Sequence, residues 1–543
     1  MNNYNNNFSK PPQQQINSLL KLYQTGKYVD AEKLSLSLTE EFPKHPFAWK
    51  VLAAVLKQMD KINESLIACQ KAIKLEPQDT EVHNNLGATL QELGRFEEAE
   101  QSLKQAIKLK PDFAKAHNNL GNTLKELGRL EEAETSYKKG IKLKPDYAEA
   151  HSNLGVTLQE LGRFEEAKQS LKQAIKLKPD FFKAHNNLGL TLQELGRFEE
   201  AETSFRKGIK LKPDYAEAHN NLGGMLQKLG KLKEAMNCYI KAIKLNSELL
   251  VSSHNLVELL TSYTDHKKIS HPIVKVHQEI KKIYLKEVTS GIISDDKIIQ
   301  LFHKSKSIIK KFDLKIATNL SQVYRRNSTN LNCKRHMDIF NKFNIIPKFC
   351  FGCYKVQIEP RSLLELIKLL VVFDQIKLVK NNTRKCMIEM RTEVSGFYKG
   401  LIYCSSTEEA YQIANYLEIV LEKNISPGLH AVVKRGCSEY PISFPAYKAI
   451  NKSGSQLMNY NEDWKSIEQD YDSLNSIKSS KIITPSLFGL SLQDVLIIQN
   501  WIDYAKGIGD QSVHLLDQNK IFTSETYKDA KSRIEKYPWK EIR

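Results

Sequence analysis

Residues 80–113 read TEVHNNLGATLQELGRFEEAEQSLKQAIKLKPDF, and the same sentence returns with small changes at 114–147, 148–181 and 182–215. Pro43, Pro77, Pro111, Pro145, Pro179 and Pro213 keep one interval, as do Gly87, Gly121, Gly155, Gly189 and Gly223. Gly94, Gly128, Gly162, Gly196 and Gly230 follow it, with Ala99, Ala133, Ala167, Ala201 and Ala235. A fixed period of this length marks stacked supersecondary units. Inside one unit Leu86, Leu90 and Leu93 make one apolar stripe at helical spacing, and Phe96, Ala99, Leu103 and Ala106 make a second. Gly94 turns the chain between two helices and Pro111 closes the second one. Gly87 and Ala99 are small where the helices cross, so the backbones can approach. A single hairpin cannot bury both stripes, so neighbours must stack and the expected fold is an α-solenoid.

This pattern resembles the tetratricopeptide repeat (TPR) family, with seven hairpins over 12–249 after a disordered tail at 1–11. Residues 250–264 keep the first-helix pattern without its glycine and are expected to cap the stack. The second unit is the most worn: Ala53 and Ser65 replace its glycine and alanine, and Trp49 stands where later units carry histidine. AETSYKKGIKLKPDYAEAH at 133–151 returns as AETSFRKGIKLKPDYAEAH at 201–219, so the later units alternate in pairs.

Asn85, Asn119, Asn153, Asn187, Asn221 and Asn255 recur at one place on each first helix. The family resemblance implies that this face lines a concave groove. A carboxamide both donates and accepts, so such a ladder can pair with a peptide backbone while ignoring its side chains. The tract His-Asn-Asn-Leu-Gly at 83–87, 117–121, 185–189 and 219–223 is similar to the repeats of O-GlcNAc transferases, where such asparagines hold extended substrate peptide. That likeness stops at the repeats, because nothing after them resembles the paired Rossmann-like domains that glycosyltransferases need. Glu81, Lys115, Glu149, Lys183 and Glu217 alternate in sign beside the ladder. Alternation argues against a groove dedicated to one acidic terminus or to a nucleic-acid backbone. The repeated histidines lie about 10 Å apart, one helix diameter, which is too far to share a metal.

Residues 265–345 read as a basic helical connector without repeat signature. At 346–440 the period switches to two: CYKVQIEP, KCMIEMR, FYKGLIYC and LHAVVKRGC are strands, with helices after the first and third. That β-α-β-β-α-β order is ferredoxin-like, so the fold class is mainly α: a solenoid, a connector and a smaller α+β domain. A helical extension occupies 441–543. Cys333-x-x-His336 and Cys350-x-x-Cys353 have a zinc-like spacing. With strand order 4-1-3-2, Cys350, Cys353, Cys386, Cys404 and Cys437 would converge on one rim. The alternative is that these are small apolar residues suited to strands. Phe397, Tyr398 and Tyr403 on the third strand raise a further reading, RNA binding, although SGFYKGLIYC lacks the base-stacking run of RNA-recognition domains.

The chain has 543 residues, 41% hydrophobic and 26% charged, as in globular proteins. No apolar run is long enough to span a bilayer, and MNNYNNNFSKPPQQQ lacks the features of a secretory signal, so a cytoplasmic protein without membrane partners is expected. Of the net charge of +17, roughly 12 falls after residue 249. Phosphate-binding loops and the nucleophile and zinc motifs of hydrolases are missing, so the balance leans away from an enzyme. The expected function is a scaffold that captures an extended segment of a partner protein. The alternative is a zinc-binding or catalytic C-terminal module that the repeats supply with substrate.

Overall fold

A computed structural model describes residues 10–265, 269–288, 293–314, 316–318, 320–326, 333–391, 394–437, 440–448, 458–474, 488–517 and 525–536. The expected tail at 1–11 falls largely outside them. The chain forms two compact units, divided between Pro213 and Asp214.

The first unit is six antiparallel hairpins. Their first helices are α1 (Gln13–Gln24), α3 (Pro46–Gln58), α5 (Thr80–Glu92), α7 (Ala114–Glu126), α9 (Ala148–Glu160) and α11 (Phe182–Glu194). Their second helices are α2 (Tyr28–Glu41), α4 (Ile62–Leu75), α6 (Phe96–Leu109), α8 (Leu130–Leu143), α10 (Phe164–Leu177) and α12 (Phe198–Leu211). Ala99, Ala133, Ala167 and Ala201 are fully buried at the crossings. At Gly121 a Cβ would meet the ring of Tyr137 at 2.6 Å, so this helix position must lack a side chain. The residue seated over that glycine alternates: Leu103, Tyr137, Leu171, Phe205. One turn later Ala106, Gly140, Ala174 and Gly208 alternate in compensation, large with small. The pairwise alternation of the sequence is therefore an alternation of packing volume.

Successive repeats of the first unit are clipped by the ring side chain at the repeated histidine position. His83, His117, His151 and His185 place Nε2 2.9–3.2 Å from the carbonyl oxygens of Pro77, Pro111, Pro145 and Pro179. Trp49 Nε1 donates to Pro43 in the same way at 3.1 Å. A ring N–H thereby satisfies the carbonyl of a proline that lies in the connection just past the second helix.

The second unit opens with a further hairpin, α13 (Ala216–Lys228) and α14 (Leu232–Leu245), followed by α15 (Leu250–Leu260). After α16 (Pro272–Val288) and α17 (Asp295–Lys311) comes a strand that the connector was not expected to hold, β1 (Gln322–Arg325). Then follow α18 (Cys333–Phe343), the short α19 (Lys348–Phe351), β2 (Tyr354–Ile358), α20 (Leu363–Gln375), β3 (Arg384–Ile388), β4 (Tyr398–Cys404), α21 (Thr407–Asn424) and β5 (Ala431–Arg435). The short α22 (Tyr440–Ser443), α23 (Trp464–Leu474), α24 (Leu492–Ile508) and α25 (Glu525–Lys536) complete the unit. The sheet order is β1-β3-β4-β2-β5, antiparallel throughout. Four of these strands give the ferredoxin-like 4-1-3-2 order, and β1 adds a fifth at the edge.

Burial on the helix-covered side of the sheet is ionic as well as apolar. Arg325 of β1 donates to both oxygens of Asp494 at 3.1 and 3.0 Å, and its Nε lies 3.3 Å from Asp374. Asp374 also accepts from the Tyr284 hydroxyl and the Gly489 N–H, each at 2.8 Å. These bonds join α16, α20, α24 and β1, so connector, sheet and C-terminal extension share one interior. No helix among the described residues is long and apolar enough to cross a membrane.

Candidate functional site

In the first unit the ladder asparagines Asn85, Asn119, Asn153 and Asn187 are half-buried, one residue after the buried Asn84, Asn118, Ser152 and Asn186. The two rows bond to each other. Asn119 Nδ2 donates to Asn84 Oδ1 at 2.9 Å, and Asn153 Nδ2 donates to Asn118 Oδ1 at 3.0 Å and to Asn122 Oδ1 at 3.1 Å. Asn122 Oδ1 also accepts from the Tyr137 hydroxyl at 2.7 Å. Gln91 spans the same gap between α5 and α7, and Gln159 the gap between α9 and α11, each reaching the carbonyl of Asn119 or Asn187 and the following threonine hydroxyl.

Asn119 and Asn153 of the ladder face a groove of about 670 Å3, walled also by Asn122, Ala88, Gln91, Val156 and the charged Lys57, Glu92, Lys125 and Glu126, whereas Asn85 and Asn187 are not part of its lining. The groove thus follows the ladder and the helix turns after it on α5, α7 and α9. Glu81, Lys115, Glu149 and Lys183 are exposed in the first turns of their helices, before the ladder. Glu81 is held 2.5 Å from Lys50, and Glu149 3.2 Å from Lys178. Sequence reasoning missed Asn122, Ala88 and Val156, because these positions vary from unit to unit.

In the second unit Asn255 Nδ2 donates to Asn220 Oδ1 at 2.9 Å, and Asn220 Nδ2 to Asn221 Oδ1 at 3.5 Å. The same two-row pairing holds there. Glu217 is exposed in the first turn of α13.

The sulfur-rich positions separate into several environments. Cys386 and Cys404 are buried on the helix-covered side of the sheet, where burial pushes both thiols up, Cys404 to about 12. Cys350 Sγ lies 3.2 Å from the Tyr440 hydroxyl in an aromatic cluster, and burial pushes its thiol to about 12. His336 is buried and stacked on Phe349, ring centroids 5.0 Å apart. Cys333 and Cys437 line the open face of the sheet beside Lys355, whose Nζ is 3.9 Å from Cys437 Sγ. Cys353 adjoins this pair, and burial raises its thiol to about 11. Among the described residues no three His, Cys, Asp or Glu side chains are grouped as a metal ion requires. The third-strand aromatics divide as well. Tyr398 is buried with its hydroxyl on Asp510 at 2.6 Å, Phe397 lies under Arg533, and Tyr403 alone of the three lines the open face.

Family models described as TPR repeat match residues 90–128, 121–162 and 158–196, and models described as tetratricopeptide repeat match 68–101, 182–215 and 216–249. No curated protein matches the chain. Among solved structures, the APC/C hetero-tetramer Cut9-Hcn1 is 17% identical, with a TM-score of 0.41, over 45% of this chain and 48% of that chain. This chain therefore spans about half the length of that relative. YrrB, a TPR protein with an unusual peptide-binding site, is 23% identical over 34% of this chain and 96% of its own, with a TM-score of 0.29. A thermophilic TPR protein of Thermus thermophilus is 26% identical over 34% of this chain and 99% of its own, with a TM-score of 0.30.

Proposed function

Because residues 68–249 are tetratricopeptide repeats, we propose that the chain is a protein-interaction scaffold whose groove along α5, α7 and α9 holds an extended segment of a partner protein. The observation that carries this reading is the orientation of Asn119 and Asn153 into the groove of about 670 Å3. Pairing between repeats uses one N–H of Asn119 and both of Asn153. A carboxamide has two donor hydrogens and two acceptor lone pairs. Asn119 therefore retains a donor for a peptide carbonyl, and Asn153 an acceptor for a peptide N–H. Each such bond is worth about 0.5–1.5 kcal/mol net, so a few of them with the mixed apolar and charged walls suit micromolar capture, about −8 kcal/mol.

The test is selection from a random-peptide library on the full chain, followed by Val156→Arg. Val156 is half-buried in the groove wall and makes none of the ladder bonds. An arginine there fills the groove and leaves the repeats joined. Selected peptides should bind the variant at least tenfold more weakly, with its melting unchanged. Peptides that bind both proteins equally would remove the groove from the proposal.

A further inference from the structure

Helices α20 and α21 cover one face of the sheet, and the opposite face opens into a cavity of about 800 Å3. That volume lies in the range of pockets that enclose small ligands, about 300–1,000 Å3. Strand alternation decides the lining. Lys355 stands opposite Tyr403 on one side and Lys434 on the other, while Lys385 stands opposite Leu401 and Tyr324. Met387, Leu401 and Tyr403 form an apolar cluster on this face.

The cavity holds Lys355, Lys385, Lys399, Lys434, Arg391 and Arg435, with Glu389 as the carboxylate in its lining. Glu389 binds Lys399 at 3.0 Å and Arg391 at 2.8 Å, and Lys434 lies 3.6 Å from Glu359. Arg435 lies over the rings of Phe351 and Tyr447. Lys355 and Lys385 are placed differently. Among the described residues, Lys355 Nζ meets Cys437 Sγ at 3.9 Å and the Tyr403 ring at 5.4 Å. Lys385 Nζ meets Gln322 Oε1 at 3.3 Å and the Tyr324 ring at 5.6 Å. The Lys385 ammonium thus leans on neutral partners inside a recess, an arrangement that costs free energy until an anion enters. At Lys355 burial is outweighed by Cys437, Tyr403, Cys353 and Cys333, which hold its charge in place.

We propose that this open sheet face binds a phosphorylated small molecule, with the phosphate between Lys355 and Lys385 and a flat apolar portion on Met387, Leu401 and Tyr403. A phosphate dianion matches two ammonium charges, whereas a single carboxylate matches one. Burial, and next the charge of Lys355, push Lys385 down to about 8; Cys333 and Cys437 act the other way, and Arg391 adds to the lowering. A fraction of Lys385 is therefore an unprotonated amine near neutral pH, and bound phosphate would restore its proton.

Pyridoxal, an aldehyde that carries no phosphate, probes this through the protection of Lys385. Its aldehyde condenses with an unprotonated lysine amine, releasing water, and borohydride reduces the imine to a stable secondary amine. With the full chain, Lys385 should take up close to one label, mapped by mass spectrometry. Adenosine 5′-monophosphate or pyrophosphate should suppress the label, and adenosine should not. In Lys355→Met the same phosphates should protect Lys385 at least tenfold less well, and Lys355→Arg, which keeps the charge, should retain the protection. Labelling of Lys385 that neither adenosine 5′-monophosphate nor pyrophosphate lowers would overturn the proposal, as would labels scattered over lysines without protection. Suppression by single-stranded RNA below the nucleotide concentration, with steep salt dependence, would also overturn it, in favour of a nucleic-acid platform.

Discussion

Asn119 Nδ2 donates to Asn84 Oδ1 of the preceding repeat at 2.9 Å, a pairing one residue longer than the repeat itself. Asn153 with Asn118 and Asn255 with Asn220 repeat the offset. The asparagines that face the groove and those buried behind them therefore form one device. The buried row fixes the orientation of the exposed row, and the exposed row ties successive repeats together.

The buried member of such a pair should matter for stability. Asn118 is 5% exposed, accepts from Asn153 and donates to Asn119 at 3.5 Å. Asn118→Ala removes both bonds, each worth about 0.5–1.5 kcal/mol net, at a cost of about 1–3 kcal/mol together. The urea midpoint of the first unit should fall with its slope unchanged. An unaltered midpoint would mean that the rows are not coupled.

Asp60 takes the turn position that Gly26, Gly94, Gly128, Gly162 and Gly196 hold elsewhere, with φ of 61°. A left-handed backbone costs a residue with a Cβ about 1 kcal/mol relative to glycine, somewhat less for aspartate. Asp60→Gly should therefore stabilise the first unit by about 0.5–1 kcal/mol, read as a rise in melting temperature. The side chain of Asp60 is exposed, so no packing opposes the gain.

The hairpins were legible because each signal repeats: one glycine at a turn is ambiguous, whereas Gly94, Gly128, Gly162 and Gly196 at equal spacing are not. The strands of the α+β part were legible from alternation, and their order from the helix placement. β1 was hidden, since QVYR is four residues at a sheet edge and its anchor, Arg325 on Asp494, lies 169 residues away. The cysteines were read by strand end and not by strand face. Cys386 sits opposite Gly400 within the sheet and Cys404 opposite Tyr354, so both point to the helix side, while Cys333 and Cys437 reach the open face. The lysines of that face gave no sequence signal beyond the basic excess, because only the fold brings Lys355 and Lys385 onto one surface.

Acid stability of the second unit should show two windows. His336 is stacked on Phe349, and burial pushes it down to about 4, with Arg335 adding to the effect and Glu468 and Asp472 opposing it. Below its ordinary value of 6.5 the unfolded chain takes up a proton that the folded histidine refuses. Stability is therefore highest above that value and falls as the pH drops from 6.5 to about 4, by at most about 3 kcal/mol. Glu389 is lowered from 4.5 to about 2: burial opposes the shift, but Arg391 and Lys399 overcome it. Its contribution is complete above 4.5 and is lost between 4.5 and about 2. His336→Phe should keep the stacked contact and make the upper window shallower, the rest of it belonging to His271, which burial also pushes down, while leaving the lower window in place. Urea midpoints at stepped pH decide the matter, and an upper window of the same depth in the variant would take His336 out of the acid response.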